Sequence, residues 1–284
     1  MCSYSGTHWK EPYWCMYPAS RCSLNRRMHP QMRCGHQTSL YRIYTNNDDD
    51  IAQPASRSTP QSDHHFTITM IPKTEKDNQI IEKAKSLQGV CWGEEYEKMI
   101  SGILYSPLAS ELMEGRTRAR FLMSEFNAPL QPDVPFSETV AHREETLRKL
   151  FGRAGRGIYI EPPLFVDYGC NISVGDGFYA NFNLTVLDCG LVTVGNNVEV
   201  GPNVNIITGE HETKLEARRT HRGMEFTREV IIGDDCWIGA NVTILAGVTI
   251  GSGCSIGAGS VVKRDIPPYS IAVGSPARVI RSAV

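Results

Sequence analysis

The chain has 284 residues, 41% of them apolar, a formal net charge of −2 and nine cysteines. That length admits one large domain or two small ones with a real core, and the near-neutral charge gives no attraction toward nucleic acid or an anionic membrane. With no apolar run of about 18 residues, no charged-then-apolar leader and no paired cysteine spacing, a cytoplasmic protein with free thiols is expected.

Residues 1–69 carry no helical or strand period and include the polar stretch TNNDDDIAQPASRSTPQSDHH. They are expected to form a disordered extension, or to lie upstream of a start at Met70. Cys2, Cys15, Cys22 and Cys34 lie among His8, His29 and His36, but the spacings match no usual zinc ligand set, so no metal is expected.

Residues 70–157 read as a helical module. Ile80, Ile81, Ala84 and Leu87 fall at helical spacing among charges. Ser106 is a candidate N-cap with Pro107 at the first helical position, so that Leu108, Leu112, Ala119, Leu122 and Phe126 share a face. A further helix is expected behind Ser137 as cap, with Gly152 as its stop. These amphipathic helices need a partner surface.

Residues 158–284 supply it. Ile232, Ile238, Ile244, Ile250, Ile256 and Val262 stand six apart, and Val194, Val200 and Ile206 keep the same beat upstream. Two positions before each stands a small or β-branched residue, from Val192 through Cys236 and Val242 to Ser260. A period of six marks a parallel β-helix, in which each hexapeptide forms one side of a coil and Gly or Asn turns the corner. The expected fold is an all-β solenoid, a left-handed parallel β-helix with an N-terminal helical module.

The beat breaks once. Ile232 follows Ile206 by 26 residues, which is not a multiple of six, so a polar insertion must leave the coil as an extruded loop. His211 sits near its start. From the residues alone it is either a base held on a rigid scaffold or a solvated loop histidine.

From about Glu97 to Arg281 the chain resembles the maltose/galactoside O-acetyltransferases, including nodulation-type members, of the hexapeptide-repeat acyltransferases. The segments DYGCNISVGDGFYANFNLTVLD, NVEVGPNVNIITGEH, CWIGANVTILAGVTIGSGCSIGAGSVV and DIPPYSIAVGSPARVI carry the likeness. The resemblance implies a homotrimer with active sites between subunits, moving acetyl from acetyl-CoA to a sugar or sugar-like hydroxyl in a ternary complex. It implies His211 as general base with Asn181, and acceptor contacts at Asp167, Tyr179, Asp188 and Met224. It further implies a coenzyme groove lined by Trp237, Ala240, Ala258, Arg278 and Arg281. Histidine suits that task because its ordinary pKa lies near working pH. Asn and Asp also favour solenoid corners, and Asn183 is read as a corner residue.

The chain departs from the family at Glu212, where proline usually follows the histidine, and at Cys189, where some members have a second acid. His221, farther along the loop, is expected to matter much less. A metal-dependent carbonic anhydrase needs three converging histidines, whereas the coil offers His211 and His221 alone, both in the loop. A non-sugar hydroxyl as acceptor and a non-catalytic scaffold are the remaining alternatives. The His211/Asn181 pair speaks against the scaffold.

Overall fold

The computed structural model describes residues 71–284. The expectations for residues 1–69, extension and zinc spacing alike, lie outside the described residues.

The coil has three faces. The first stacks the strands Arg153–Ala154, Ile172–Val174, Val192–Val194, Val230–Ile232 and Thr249–Ile250 in parallel. The second stacks Tyr159–Ile160, Tyr179–Ala180, Glu199–Val200, Trp237–Ile238, Ser255–Ile256 and Ser270–Gly274, closed by the antiparallel strand Ala277–Ser282. The third stacks Leu164–Val166, Leu184–Leu187, Asn205–Ile207, Thr243–Ile244 and Val261–Val262. The six-residue beat carries the chain from face to face, so Ile232 meets Ile250 after a full turn of the coil. Val200, Ile238 and Ile256 stack in the same way on the second face, and Ile206, Ile244 and Val262 on the third.

All of these side chains point inward and are buried. Each contributes roughly 1.5–3 kcal/mol of apolar transfer, which is why a period of six suffices to specify the coil. Corners need backbone that bends sharply, and asparagine tolerates it. Asn183, Asn197, Asn203 and Asn241 all take φ between 53° and 62°. Asn183 also donates its amide to the Asn203 Oδ1 at 3.0 Å, forming one rung of a corner ladder.

Four helices precede or underlie the coil. α1 spans Asn78–Ala84 and is capped by Asp77, whose carboxylate accepts from the amides of Gln79 and Ile80. α2 spans Glu94–Ser101, α3 Ser110–Phe126 and α4 Phe136–Leu150. Ala119 and Phe126 of α3 join Leu147 and Leu150 of α4 against the first turns of the coil. A second cluster, with Tyr96, Met99 and Leu112 at its centre, closes on Tyr105, Tyr168 and Cys189.

Three local expectations change. α3 begins at Ser110 rather than behind Ser106, because residues 106–109 make their own turn. In that turn Glu95 takes the Ser106 amide at 2.6 Å, and Leu108 is left 76% exposed. α4 begins one residue before Ser137, its first amides returning to the Pro135 carbonyl. Gly152 is required by contact and not as a stop: a Cβ there would lie 2.0 Å from the Cys170 carbonyl oxygen.

Candidate active site

The extruded loop leaves the third face after Ile207 and is pinched at its neck. Gly209 and Glu210 pair antiparallel with Thr227 and Phe226, so the residue after one strand meets the residue before the other. His211 therefore stands opposite Met224 and Glu225. Its Nδ1 lies 3.2 Å from the Met224 carbonyl. A carbonyl can only accept, so this contact places the proton on Nδ1 and leaves the Nε2 lone pair open. Nε2 lies 3.9 Å from Glu225 Oε1, and the imidazole is 61% exposed toward solvent.

The other Glu225 oxygen accepts a hydrogen bond from the Tyr105 hydroxyl at 2.8 Å. Burial pushes the Tyr105 phenol well above its ordinary range, so it stays a neutral donor. Tyr105 also exchanges backbone hydrogen bonds with Glu225. Beyond Tyr105 lie the Cys189 thiol and then Asp167, whose Oδ2 accepts from Cys189 Sγ at 3.4 Å. His211, Glu225, Tyr105, Cys189 and Asp167 thus form one wall.

Burial raises the Asp167 carboxyl above the usual range, opposed by the Cys189 hydrogen bond and the positive charge of Arg116. Arg116 itself hydrogen-bonds the Tyr168 hydroxyl and the Pro107 carbonyl. Burial also pushes the Cys189 thiol up, which makes it a poor nucleophile.

One expected acceptor group changes role. Asp188 is fully buried. Its Oδ1 accepts from the amides of Asp167 and Tyr168, each at 2.9 Å, so it supports the wall from beneath and cannot face a substrate. Burial holds its carboxyl well above the usual range, and Oδ2 has no partner among the described residues. Met224 reaches His211 through its main-chain oxygen, not its thioether.

The remaining expected residues lie along another edge. Tyr179 stacks on Tyr159 with centroids 6.2 Å apart, and its register neighbours on the second face are Glu199 and then Trp237. Asn181 turns the corner between second and third faces, its Oδ1 accepting from the Phe182 amide at 2.7 Å. Directly along that corner come Ala240, half-buried, and Ala258, exposed. The corner is tight: a Cβ on Gly239 would lie 2.7 Å from the Ala258 nitrogen, so main chain is presented there. Trp237 is 55% exposed beside it. Arg278 pairs with Val273 and Arg281 with Ile271 at the coil's end, both arginines exposed.

The third face separates the two edges. Asn181 precedes its strands and His211 follows them, so the width of the face, roughly 13 Å for the four-residue strand Leu184–Leu187, lies between them. One chain therefore does not bring His211 and Asn181 together. Glu225 and Tyr105 are missing from the sequence-derived site. Glu225 had a signal, since an antiparallel neck places it opposite His211; Tyr105, far upstream in the helical module, had none. Among the described residues no group of three or more His, Cys, Asp or Glu could hold a metal ion, and no helix is long and apolar enough to cross a membrane.

The coil matches the model of bacterial transferase hexapeptide repeats over residues 229–264, and residues 98–155 match the maltose acetyltransferase hexapeptide capping motif. Galactoside O-acetyltransferase of Escherichia coli is 40% identical over 65% of this chain and 87% of that protein. The chain belongs to the hexapeptide-repeat acetyltransferases of the maltose/galactoside type. It is accordingly an acyltransferase that uses acetyl-CoA. Sophorolipid acetyltransferase of Starmerella bombicola is 38% identical over 75% of this chain and 83% of that protein. A galactoside acetyltransferase solved in complex with coenzyme A superposes with a TM-score of 0.62 at 38% identity, covering 68% of this chain and 92% of that one.

Proposed function

We propose that the protein transfers acetyl from acetyl-CoA to a hydroxyl of a sugar or sugar-like acceptor, with His211 as general base. The observation that carries this reading is the orientation of His211, whose Nδ1 meets the Met224 carbonyl at 3.2 Å while the exposed Nε2 lies 3.9 Å from Glu225. Nε2 takes the acceptor's proton as its oxygen attacks the thioester carbonyl, and Glu225 offsets the imidazolium charge. Collapse of the tetrahedral species expels the coenzyme thiolate, which recovers the proton from His211. The Asp167 carboxyl, on the same wall, would accept a hydrogen bond from a second acceptor hydroxyl. Direct transfer in a ternary complex fits a wall whose one thiol, Cys189, is buried and held protonated.

The coenzyme would lie along the Asn181 edge. Small corners at Ala240 and Ala258 leave main-chain groups to meet the pantetheine arm, Trp237 offers a flat apolar surface, and Arg278 and Arg281 can pair with phosphates. With His211 and Asn181 on opposite edges of one face, a second copy must supply the missing half, and a cyclic homotrimer does so three times over. Among acceptors, the relatives named for galactoside and sophorolipid favour carbohydrate hydroxyls.

The test is release of free coenzyme A thiol from acetyl-CoA across a panel of glycosides and non-sugar alcohols. Turnover confined to glycosides is expected. Turnover with non-sugar alcohols alone would overturn the acceptor class, and acetylation of amines alone would overturn the reaction.

A further inference from the structure

The loop that carries His211 has little apolar anchoring: its short helix, α5 at Leu215–Thr220, buries no residue. Polar links do the ordering instead. The Glu212 carboxylate lies 2.6 Å from His221 Nδ1, and it is 17% exposed against 39% for the imidazole. The Met224 amide donates to the His221 carbonyl at 3.0 Å, and the Met224 carbonyl receives His211 Nδ1–H at 3.2 Å. Since Glu212 follows His211 directly, these links close a ring that runs from His211 through Met224 and His221 to Glu212 and back. Arg218 braces it, Nη1 donating to the carbonyls of Glu212 at 3.3 Å and Thr213 at 2.8 Å. His211, Glu212, Arg218, His221 and Met224 surround a cavity of about 100 Å³.

We infer that Glu212 and His221 are positioning residues for His211, a latch that sets the orientation of the base through the Met224 carbonyl. The inference rests on the reading of His211 as general base. Although Glu212 follows His211 directly, its carboxylate is spent on His221. Neither latch residue touches the reacting atoms. Their effect is on the ring angle of His211, and small misplacements of a catalytic group are costly to rate. The latch therefore acts on turnover, while the coenzyme edge at Trp237 and Arg278 lies on the other side of the third face and is untouched.

Steady-state kinetics on Glu212→Ala, Glu212→Gln, His221→Ala and the double alanine variant test this, with coenzyme binding by calorimetry and amide hydrogen exchange over residues 211–224. Each single alanine variant should lower kcat about tenfold, the effect of losing one charge-assisted hydrogen bond. Coenzyme affinity and the thermal midpoint should stay put. The double variant should be no worse than either single one, because the two residues act as one link. Glu212→Gln, which keeps an oxygen to accept from His221, should recover most of the turnover. Faster exchange at Met224 in the alanine variants should accompany the loss. Multiplied losses in the double variant, normal turnover in either single one, or unchanged exchange at Met224 would each overturn the latch. Full turnover in a folded His211→Ala protein would instead overturn the base, and the exchange measurement would still decide whether the latch orders the loop.

Discussion

Glu225 stands behind His211 with its charge already oriented: Oε1 lies 3.9 Å from Nε2 while Oε2 accepts from the Tyr105 hydroxyl at 2.8 Å. The distance is too long for a hydrogen bond in the resting site, yet close enough to stabilise an imidazolium once the proton has moved. Glu225→Gln should therefore lower kcat roughly ten- to hundredfold, the effect of a charge-assisted contact at about 1.5–3 kcal/mol, with little change in coenzyme KM. Tyr105→Phe, which frees the carboxylate without removing it, should cost less. Equal turnover in wild type and Glu225→Gln, measured at saturating substrates, would remove Glu225 from the mechanism.

Asp188 gives a prediction about stability. Its folded carboxyl is raised well above the ordinary 3.8 by burial. A raised acid stabilises the fold below its unfolded pKa, and that contribution is lost as pH rises through the folded value. Asp188→Asn keeps an oxygen for the Asp167 and Tyr168 amides without the ionisation. Its thermal midpoint relative to wild type should climb as pH goes from 4 to 8. A difference between the two that stays constant over that range would show that Asp188 does not titrate in the fold as described.

The repeating parts of the molecule were legible and the crossing contacts were not. Ile232, Ile238 and Ile244 announce one face after another because each must be apolar and each recurs at the same step. The break after Ile206 announced the loop by arithmetic alone. Asp188 reads like Asp167 in sequence, both acids at the end of an apolar strand, yet one is buried and the other reaches the wall. Which way an acid points at a corner depends on the amides beneath it, here those of Asp167 and Tyr168. Tyr105 was hidden for a related reason, since its partner Glu225 lies 120 residues away. Ser106 failed as a cap because residues 106–109 close a turn of their own, the Ala109 amide returning to the Ser106 carbonyl, and the helix starts only at Ser110.

The separation of His211 from Asn181 predicts complementation between inactive chains. Co-expressed His211→Ala and Asn181→Ala subunits should regain activity, because a mixed assembly contains sites with both groups intact. Random mixing would restore roughly a quarter of the sites in a cyclic trimer. Activity no higher than that of the separate variants, in assemblies shown to be mixed, would place the whole site within one chain.

The most direct measurement is the turnover of His211→Ala with a thermal melt as folding control. The side chain is 61% exposed and fills no core, so the variant should melt with the wild type. Its kcat should fall by roughly 10²–10⁴-fold, the usual contribution of a general base, with coenzyme affinity retained. Near-normal turnover in the folded variant would contradict the assignment of His211 as the base.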